Sequence, residues 1–203
     1  FVETGTHFGH GVVAALTRGC KGIHSIEIND FFFRAAINRF FMLACANSAV
    51  CPEDGYELCE DFQIERKSDF FKIVFGDETS ISIYKGDTVE KLPEIMEKIT
   101  GKATFWLDAH WSGEETHIDQ VLTDESPDEV KVPIVKELEI IKQHSAQGLD
   151  HIIMIDDMEQ VIETLDGGLD ELAQHLKSIN PNYQIEMRRK EKGQPENAII
   201  AYV

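Results

Sequence analysis

The first eleven residues of the chain constrain its fold more than any other stretch. An apolar start leads into one acid, Glu3, and three glycines follow before an apolar run begins: Gly5, Gly9 and Gly11. This order predicts a strand, a tight turn and a helix. Because glycine accepts positive φ and leaves space beside the backbone, the turn exposes N–H groups at a helix N-terminus, where a polar or anionic ligand group binds.

The remainder of the chain alternates between short apolar runs and longer amphipathic segments. Predicted strands cover residues 1–3, 22–27, 81–85, 103–107, 151–155, 183–187 and 198–203, and residues 70–75 could form a further short strand. Predicted helices cover 11–18, 31–46, 88–99, 132–144 and 168–179. Asp30 is the predicted N-cap of the second helix. Alternation of this kind predicts an α/β fold, a doubly wound and mostly parallel sheet in three αβα layers. The last two strands lack a helix between them, which predicts an antiparallel terminal strand.

Length and composition indicate one domain over residues 1–203, with an insertion at about 47–80 and a candidate lid loop at about 114–130. The net charge of −18 repels phosphates and anionic lipids, so we expect neither a nucleic acid nor a membrane as partner. The four cysteines form no C-x-x-C pair, which favours reduced thiols in a cytoplasmic protein. Phe1 already falls within a strand, so we expect a truncated sequence.

Acidic residues gather where the predicted parallel strands end, which is where ligands bind in doubly wound sheets. Glu27, followed by Ile28, comes about twenty residues after the glycine turn, a spacing at which a carboxylate accepts the hydroxyls of a ribose. The third parallel strand ends in Gly86 and Asp87. The fourth and fifth end in the following acids and histidine: Asp108, His110, Asp156 and Asp157.

The acid and glycine spacing, Glu-x-Gly-x-x-x-Gly-x-Gly, resembles the first motif of class I S-adenosylmethionine-dependent methyltransferases. Residues 1–6, Phe-Val-Glu-Thr-Gly-Thr, and residues 105–113, from Phe105 to Gly113, are similar to a bacterial-type branch of methyltransferase-like proteins. The resemblance covers nearly the whole chain and implies S-adenosylmethionine as cofactor and a closing antiparallel strand. It implies this set of cofactor-binding residues: Glu3, Gly5, Thr6, Gly9, Gly11, Glu27, Ile28, Gly86, Asp87 and Asp108. Asp87 would hold the adenine amino group, unless it caps the helix that follows.

A second resemblance concerns a metal site. Asp108 after one strand and Asp156-Asp157 after the next are similar to the pattern of catechol-type O-methyltransferases, although that family has Asn where this chain has Asp157. The resemblance implies Mg²⁺ or another divalent cation on Asp108, Asp156 and Asp157, which would lower the pKa of a substrate hydroxyl. His110 would take the proton, with Asp108 beside it. The alternatives stay open: the acids as helix caps or direct ligand contacts, and His110 as a structural residue.

The leading hypothesis is therefore methylation of an oxygen on a small molecule, and an oligomer stays open. Three alternatives compete with it. The glycine turn also occurs in α/β proteins without a nucleotide, and a nucleoside-binding protein can use this fold without any transfer. Thr4 with Gly5, Gly9 and Gly11 equally fits the turn of short-chain dehydrogenases. That family needs a Tyr-x-x-x-Lys pair, which none of the four tyrosines provides: Tyr56, Tyr84, Tyr183 and Tyr202.

Overall fold

The computed structural model describes residues 1–48, 62–76, 78–110, 132–145, 148–188 and 197–203. In these ranges the strands are β1 (Val2–Thr4), β2 (Gly22–Glu27), β3 (Phe62–Arg66), β4 (Phe70–Phe75), β5 (Ser80–Lys85), β6 (Thr104–Leu107), β7 (Ile152–Ile155), β8 (Gln184–Arg188) and β9 (Ala198–Tyr202). The helices are α1 (His10–Thr17), α2 (Asp30–Ser48), α3 (Thr88–Met96), α4 (Ile134–Ser145), α5 (Met158–Glu163) and α6 (Gly168–Ile179). The predicted lid at 114–130 lies outside the described residues.

The nine described strands form one sheet in the order β3-β4-β5-β2-β1-β6-β7-β9-β8. Five adjacent strands from β5 to β7 run parallel, as the alternating pattern predicts. The predicted antiparallel terminal strand is β9, which pairs with β7 on one side and β8 on the other. After β1 the chain adds strands on one side of it, beginning with β2, and then crosses to β6 on the other side. The strand order therefore reverses at β1, in the centre of the sheet.

At the opposite edge of the sheet, β3 and β4 form an antiparallel hairpin next to β5. The candidate strand at residues 70–75 is confirmed as β4, whereas β3 and the hairpin pairing were not predicted. Half of the pairings are thus antiparallel and the sheet is mixed. The described part of the predicted insertion, from residue 62 onwards, is this hairpin. The turn between Arg66 and Phe70 contains two charged residues and neither Gly nor Pro, so the sequence pattern that predicts a turn is weak there. In addition, β3 is largely exposed, which weakens the apolar alternation expected of a strand.

Helices cover both faces of the sheet, as predicted. On one face α1 and α2 bury an apolar cluster that includes Val12, Phe33 and Phe40 against β2, β4 and β5. On the other face α3, α4 and α6 bury a larger cluster around Phe105 and Leu138. Burial on both faces explains why the central strands read as short continuous apolar runs.

The structure differs from the prediction at the start of α2 and at the end of α3. Asp30 is not the cap of α2: Asn29 Oδ1 accepts the N–H groups of Phe31 at 2.8 Å and Phe32 at 3.3 Å, and Asp30 pairs with Lys85. An amide oxygen one residue earlier therefore satisfies the free N–H groups of the first turn. Helix α3 ends at Met96, before the predicted stop at Gly101.

Two broader expectations concern the surroundings of the protein. None of the helices within the described ranges combines the length and apolarity that crossing a bilayer requires. Cys20 and Cys45 are free thiols, whereas Cys51 and Cys59 lie outside the described residues.

Candidate functional site

The candidate site lies at the carboxyl ends of β1 and β6, where the strand order reverses. Ligands of doubly wound sheets bind in the crevice at this point, because the loops on its two sides diverge. The predicted site residues lie at the carboxyl ends of β1, β2, β5, β6 and β7 or in the segments that follow these strands.

The glycine turn after β1 packs directly on the segment after β6. Gly5 has φ +84°, and a Cβ there would lie 2.5 Å from the carbonyl oxygen of Asp108, so a larger residue would separate the two segments. The N–H groups of Gly5 and Thr6 both donate to the carbonyl of Ile26, at 3.0 and 3.1 Å. His7, at φ 48°, also adopts the left-handed conformation. The turn is therefore held by backbone contacts to both neighbouring strands.

Glu3 is enclosed beneath this turn. Its side chain is buried, its Oε2 accepts the Ser25 hydroxyl at 2.6 Å, and Ser25 in turn meets Thr6 Oγ1 at 2.6 Å. A Cβ on Gly11, in the first turn of α1, would lie 1.7 Å from Glu3 Oε1. Burial raises the pKa of Glu3 to about 8, although the Ser25 hydrogen bond opposes the shift. Gly11 thus makes room for a carboxylate at the start of α1.

Glu27 ties the end of β2 to the glycine turn. Its Oε2 accepts the N–H of His7 at 2.6 Å, and its Oε1 accepts the N–H of Asn29 at 2.8 Å. Burial raises the pKa of Glu27, and these backbone hydrogen bonds act against that shift. Ile28 is half-buried beside it. A ligand hydroxyl at Glu27 would use the lone pairs that these two N–H groups leave.

Asp87 is the N-cap of α3, the alternative that the sequence left open. Its Oδ1 accepts the N–H of Val89 at 2.7 Å. Gly86, at φ +145°, donates its N–H to the carbonyl of Glu27 at 2.9 Å, which brings the Gly86-Asp87 segment beside the end of β2. The cap engages one carboxylate oxygen of Asp87 and fixes the side chain at the rim of the crevice.

His110 lies between two carboxylates. Its Nδ1 is 3.2 Å from Asp108 Oδ1, and its Nε2 is 2.9 Å from Asp157 Oδ2. Burial, the largest single influence, lowers the pKa of His110, but the hydrogen bond to Asp108 and the charges of Asp108, Asp157 and Asp156 together raise it above its usual value. The His110 side chain is 11% exposed, and the side chains of Asp108 and Asp157 are 30% and 32% exposed.

The three predicted aspartates do not all converge. Asp156 is buried, and its Oδ1 accepts the N–H of Asp157 at 2.8 Å. Asp157 precedes α5 with φ 46° and makes no side-chain cap; this left-handed conformation accompanies its contact with His110. The group within metal-ligand reach among the described residues is Asp108, His110 and Asp157, whose ligand atoms lie within 4.8 Å of one another. His110 thus stands where the sequence predicts Asp156.

Sequence reasoning missed Glu137, a buried carboxylate on α4. Burial raises its pKa to about 7, against the influence of the Thr88 and Thr4 hydroxyls, and the charges of Asp87 and Asp108 raise it further. The signal was present: Glu137 falls on the apolar stripe formed by Ile134, Leu138 and Ile141. A charged residue at a core-facing position of a helix is uncommon unless it has a partner or a function.

Comparisons with known proteins give similar folds at low identity. No family model matches the sequence, and no curated protein matches it. Among solved structures, the methyltransferase domain of bacterial CtHen1 is 10% identical, with a TM-score of 0.48 and coverage of 100% of this chain and 89% of that chain. SMU.1697c from Streptococcus mutans, solved with S-adenosylhomocysteine (SAH), is 12% identical, with a TM-score of 0.48 and coverage of 100% and 88%. An rRNA methylase from Streptococcus thermophilus is 10% identical, with a TM-score of 0.47 and coverage of 99% and 84%.

Proposed function

We propose that this chain is an S-adenosylmethionine-dependent methyltransferase that methylates an oxygen of a small molecule. One observation carries the proposal: Asp108 belongs to both halves of the site. Its backbone packs on Gly5 of the glycine turn, and its carboxylate contacts His110. A cofactor held at the turn and a proton acceptor at His110 would therefore flank the same crevice, which is the arrangement that group transfer needs.

The buried acid at the start of α1 favours S-adenosylmethionine over a nicotinamide dinucleotide. A dinucleotide places its pyrophosphate at the helix N-terminus that follows the glycine turn. Here the buried Glu3 side chain, whose pKa burial raises to about 8, lies against Gly11 in the first turn of that helix. A bound phosphate would raise that pKa further, whereas the positive charge of a sulfonium cofactor with an amino group would favour the ionised carboxylate and be attracted to it. The missing Tyr-x-x-x-Lys pair argues in the same direction.

The chain's own residues would handle the acceptor proton. S-adenosylmethionine supplies an electrophilic methyl group when bound. Asp108 contacts His110 at Nδ1, and Asp157 contacts it at Nε2. An acceptor hydroxyl would have to replace Asp157 at Nε2 in order to give its proton to that nitrogen. The cofactor would supply the methyl group to the acceptor oxygen and keep the electron pair of its carbon–sulfur bond on sulfur. Asp157 would stabilise the positive imidazole that results.

A divalent cation is a second candidate for the same three side chains. Asp108, His110 and Asp157 offer two carboxylates and one imidazole, a mixed donor set that suits transition metals better than the all-oxygen sites of Mg²⁺ and Ca²⁺. The cation would lower the pKa of the acceptor hydroxyl. Turnover that persists unchanged in EDTA would contradict a metal requirement, and loss of turnover restored by one cation would support it.

Calorimetry with SAH, with and without Mg²⁺, tests the proposed cofactor. We expect binding by the wild-type protein, and weaker binding by about ten-fold or more in Gly11→Ala, because the new Cβ displaces Glu3 under the turn. Gly22→Ala is the matched control, since a Cβ there meets nothing within 4 Å. Absence of SAH binding in both conditions would overturn the proposal, and tight NADH binding would favour the dehydrogenase. Binding without methyl transfer to any acceptor would favour a nucleoside-binding protein.

A further inference from the structure

Four aromatic side chains lie together beside the candidate site, in a cluster that we call the aromatic corner: His7, Phe8, Phe31 and Phe32. The first two belong to the glycine turn after β1, and the other two to the first turn of α2. Phe32 is buried and supports the cluster, with its ring centroid 5.0 Å from that of Phe8 and 5.4 Å from that of Phe31. Arg39, further along α2, donates to the carbonyl oxygen of Phe8 at 2.8 Å and so joins the two segments.

Phe8 and Phe31 stay open to solvent on this support. They are 39% and 48% exposed, their ring centroids are 6.4 Å apart, and their ring planes meet at 83°. Single exposed apolar residues are ordinary, whereas adjoining ones indicate a surface that binds a ligand or partner. Two perpendicular rings form an angle in which a flat aromatic group can stack on one face and contact the edge of the other. The aromatic corner therefore favours a planar ring.

Glu27 holds both segments of the aromatic corner in place. Its Oε2 accepts the N–H of His7 at 2.6 Å, directly before Phe8 in the chain. Its Oε1 accepts the N–H of Asn29 at 2.8 Å, and Asn29 Oδ1 in turn accepts the N–H of Phe31 at 2.8 Å. The carboxylate at which a ligand hydroxyl would bind is thus connected to the backbone beneath each exposed ring.

A nucleoside combines the two groups that this arrangement can hold, a sugar diol and a flat base. The diol binds a carboxylate, and the base stacks on aromatic side chains. The Gly86-Asp87 segment follows β5, on the opposite side of β2 from the glycine turn. There the Asp87 carboxylate already accepts the N–H of Val89 as the cap of α3. The exposed rings on the other side of Glu27 offer the base a stacking surface.

We propose that the aromatic corner is the base-binding part of the site, so that the purine of the cofactor stacks on Phe8 and Phe31 while its ribose bonds to Glu27. This inference rests on the proposed function, which supplies the nucleoside. It places the base on the glycine-turn side of Glu27, and not beside Asp87 as the family resemblance implies. The aromatic character of residues 8 and 31 then contributes directly to cofactor affinity.

Calorimetry with SAH and with adenosine tests the aromatic corner, because the two ligands share the nucleoside. We expect Phe8→Ala and Phe31→Ala each to weaken the binding of both ligands about five-fold or more, the effect of removing one stacking ring. Phe41→Ala is the matched control, since Phe41 is 43% exposed on the same helix but lies outside the aromatic corner. It should bind both ligands like wild type.

Phe31→Trp gives a second measurement that does not depend on a loss of binding. The indole keeps a stacking surface, so the SAH affinity should stay within about three-fold of wild type. A purine stacked on this indole should quench its fluorescence, with the wild-type protein, which contains Trp106 and Trp111, as the blank. Quenching by SAH beyond that of the blank supports the proposal, and retained binding without such quenching contradicts it.

Asp87→Asn distinguishes the two sides of Glu27. Asn also caps helices, so we expect α3 to be retained and the SAH affinity to stay within about three-fold of wild type. Weakened binding by Asp87→Asn, with Phe8→Ala and Phe31→Ala binding like wild type, would locate the base beside Asp87 and overturn this inference alone. Wild-type protein that does not bind SAH overturns the proposed function and this inference with it.

Discussion

The amino ends of the central parallel strands, called the amino edge below, differ from their carboxyl ends, the carboxyl edge, in how buried titratable groups are bonded. At the amino edge, Ala103 N–H donates to His151 Nδ1 at 3.1 Å, His151 Nε2 meets His144 Nδ1 at 3.2 Å, and His144 Nε2 meets the carbonyl of Ile99 at 3.0 Å. Because Ala103 can only donate, the partners assign the proton of His151 to Nε2 and that of His144 to Nε2 as well. Every ring nitrogen of this pair has a partner in its neutral form.

The carboxyl edge instead encloses several acids. The pKa of Glu3, Glu27 and Glu137 is raised by burial in each case, and Glu137 Oε1 lacks a partner among the described residues. The amino edge is thus built for stability, and the carboxyl edge retains groups that destabilise the free protein. Such a difference is expected where a site is prepared for a ligand.

A histidine at each edge gives the sharpest test of this difference. We expect His110→Asn to lower turnover of S-adenosylmethionine by about 10²- to 10⁴-fold, the range for loss of a general base, while SAH affinity stays within about three-fold. His151→Asn should leave turnover unchanged and lower the free energy of unfolding, since it removes a partner of Ala103 and His144 and leaves the site intact. Turnover that survives His110→Asn would assign that residue a structural role.

Acid unfolding probes the amino edge next. Burial lowers the pKa of His151 to about 4 from 6.5, so the native state favours the neutral ring and the unfolded chain takes up a proton first. Stability from this group is complete above pH 6.5 and is lost as the pH falls towards 4, by up to about 3 kcal/mol. His24, whose pKa burial also lowers to about 4, adds a loss of the same sign. Urea midpoints measured across this range should fall in wild type and fall less in His151→Asn.

The carboxyl edge should show the opposite pH slope. Glu3 has a pKa of about 8 in the folded chain, above its usual 4.5, so its contribution is fully present below pH 4.5 and is lost as the pH rises through 8. We expect Glu3→Gln to be more stable than wild type by about 4 kcal/mol near pH 8 and no more stable in acid. Equal alkaline stability of the two proteins would show that the turn accommodates an ionised Glu3 without strain.

The parallel centre of the sheet, and the place where most residues of the candidate site come together, could be predicted from the sequence. Central strands are buried on both faces and read as apolar runs, and the acids that follow them meet because parallel strands end at one edge. Asp108, His110 and Asp157 were identified by this argument, and the structure brings them together. Whether these residues bind a metal or a proton depends on distances of a few tenths of an ångström, which spacing alone does not encode.

The missed features depend on contacts between distant segments. The β3–β4 hairpin precedes β5 in the chain and pairs antiparallel with it at the outer side of the sheet. Strand β3 is largely exposed, so its sequence shows little apolar alternation. Asn29 replaces Asp30 as the cap because Lys85, from a neighbouring strand, pairs with Asp30. Glu137 interacts with β1 and α3, and no local pattern around residue 137 reveals those partners.

The close approach of Gly11 to Glu3 links two positions that lie eight residues apart in sequence. A side chain at residue 11 has no space while a glutamate fills the pocket below it, and a shorter acid at residue 3 would open that space. Bulk at one position therefore excludes bulk at the other. In natural relatives of this chain the two positions should covary, so that larger residues at position 11 accompany Asp or smaller residues at position 3.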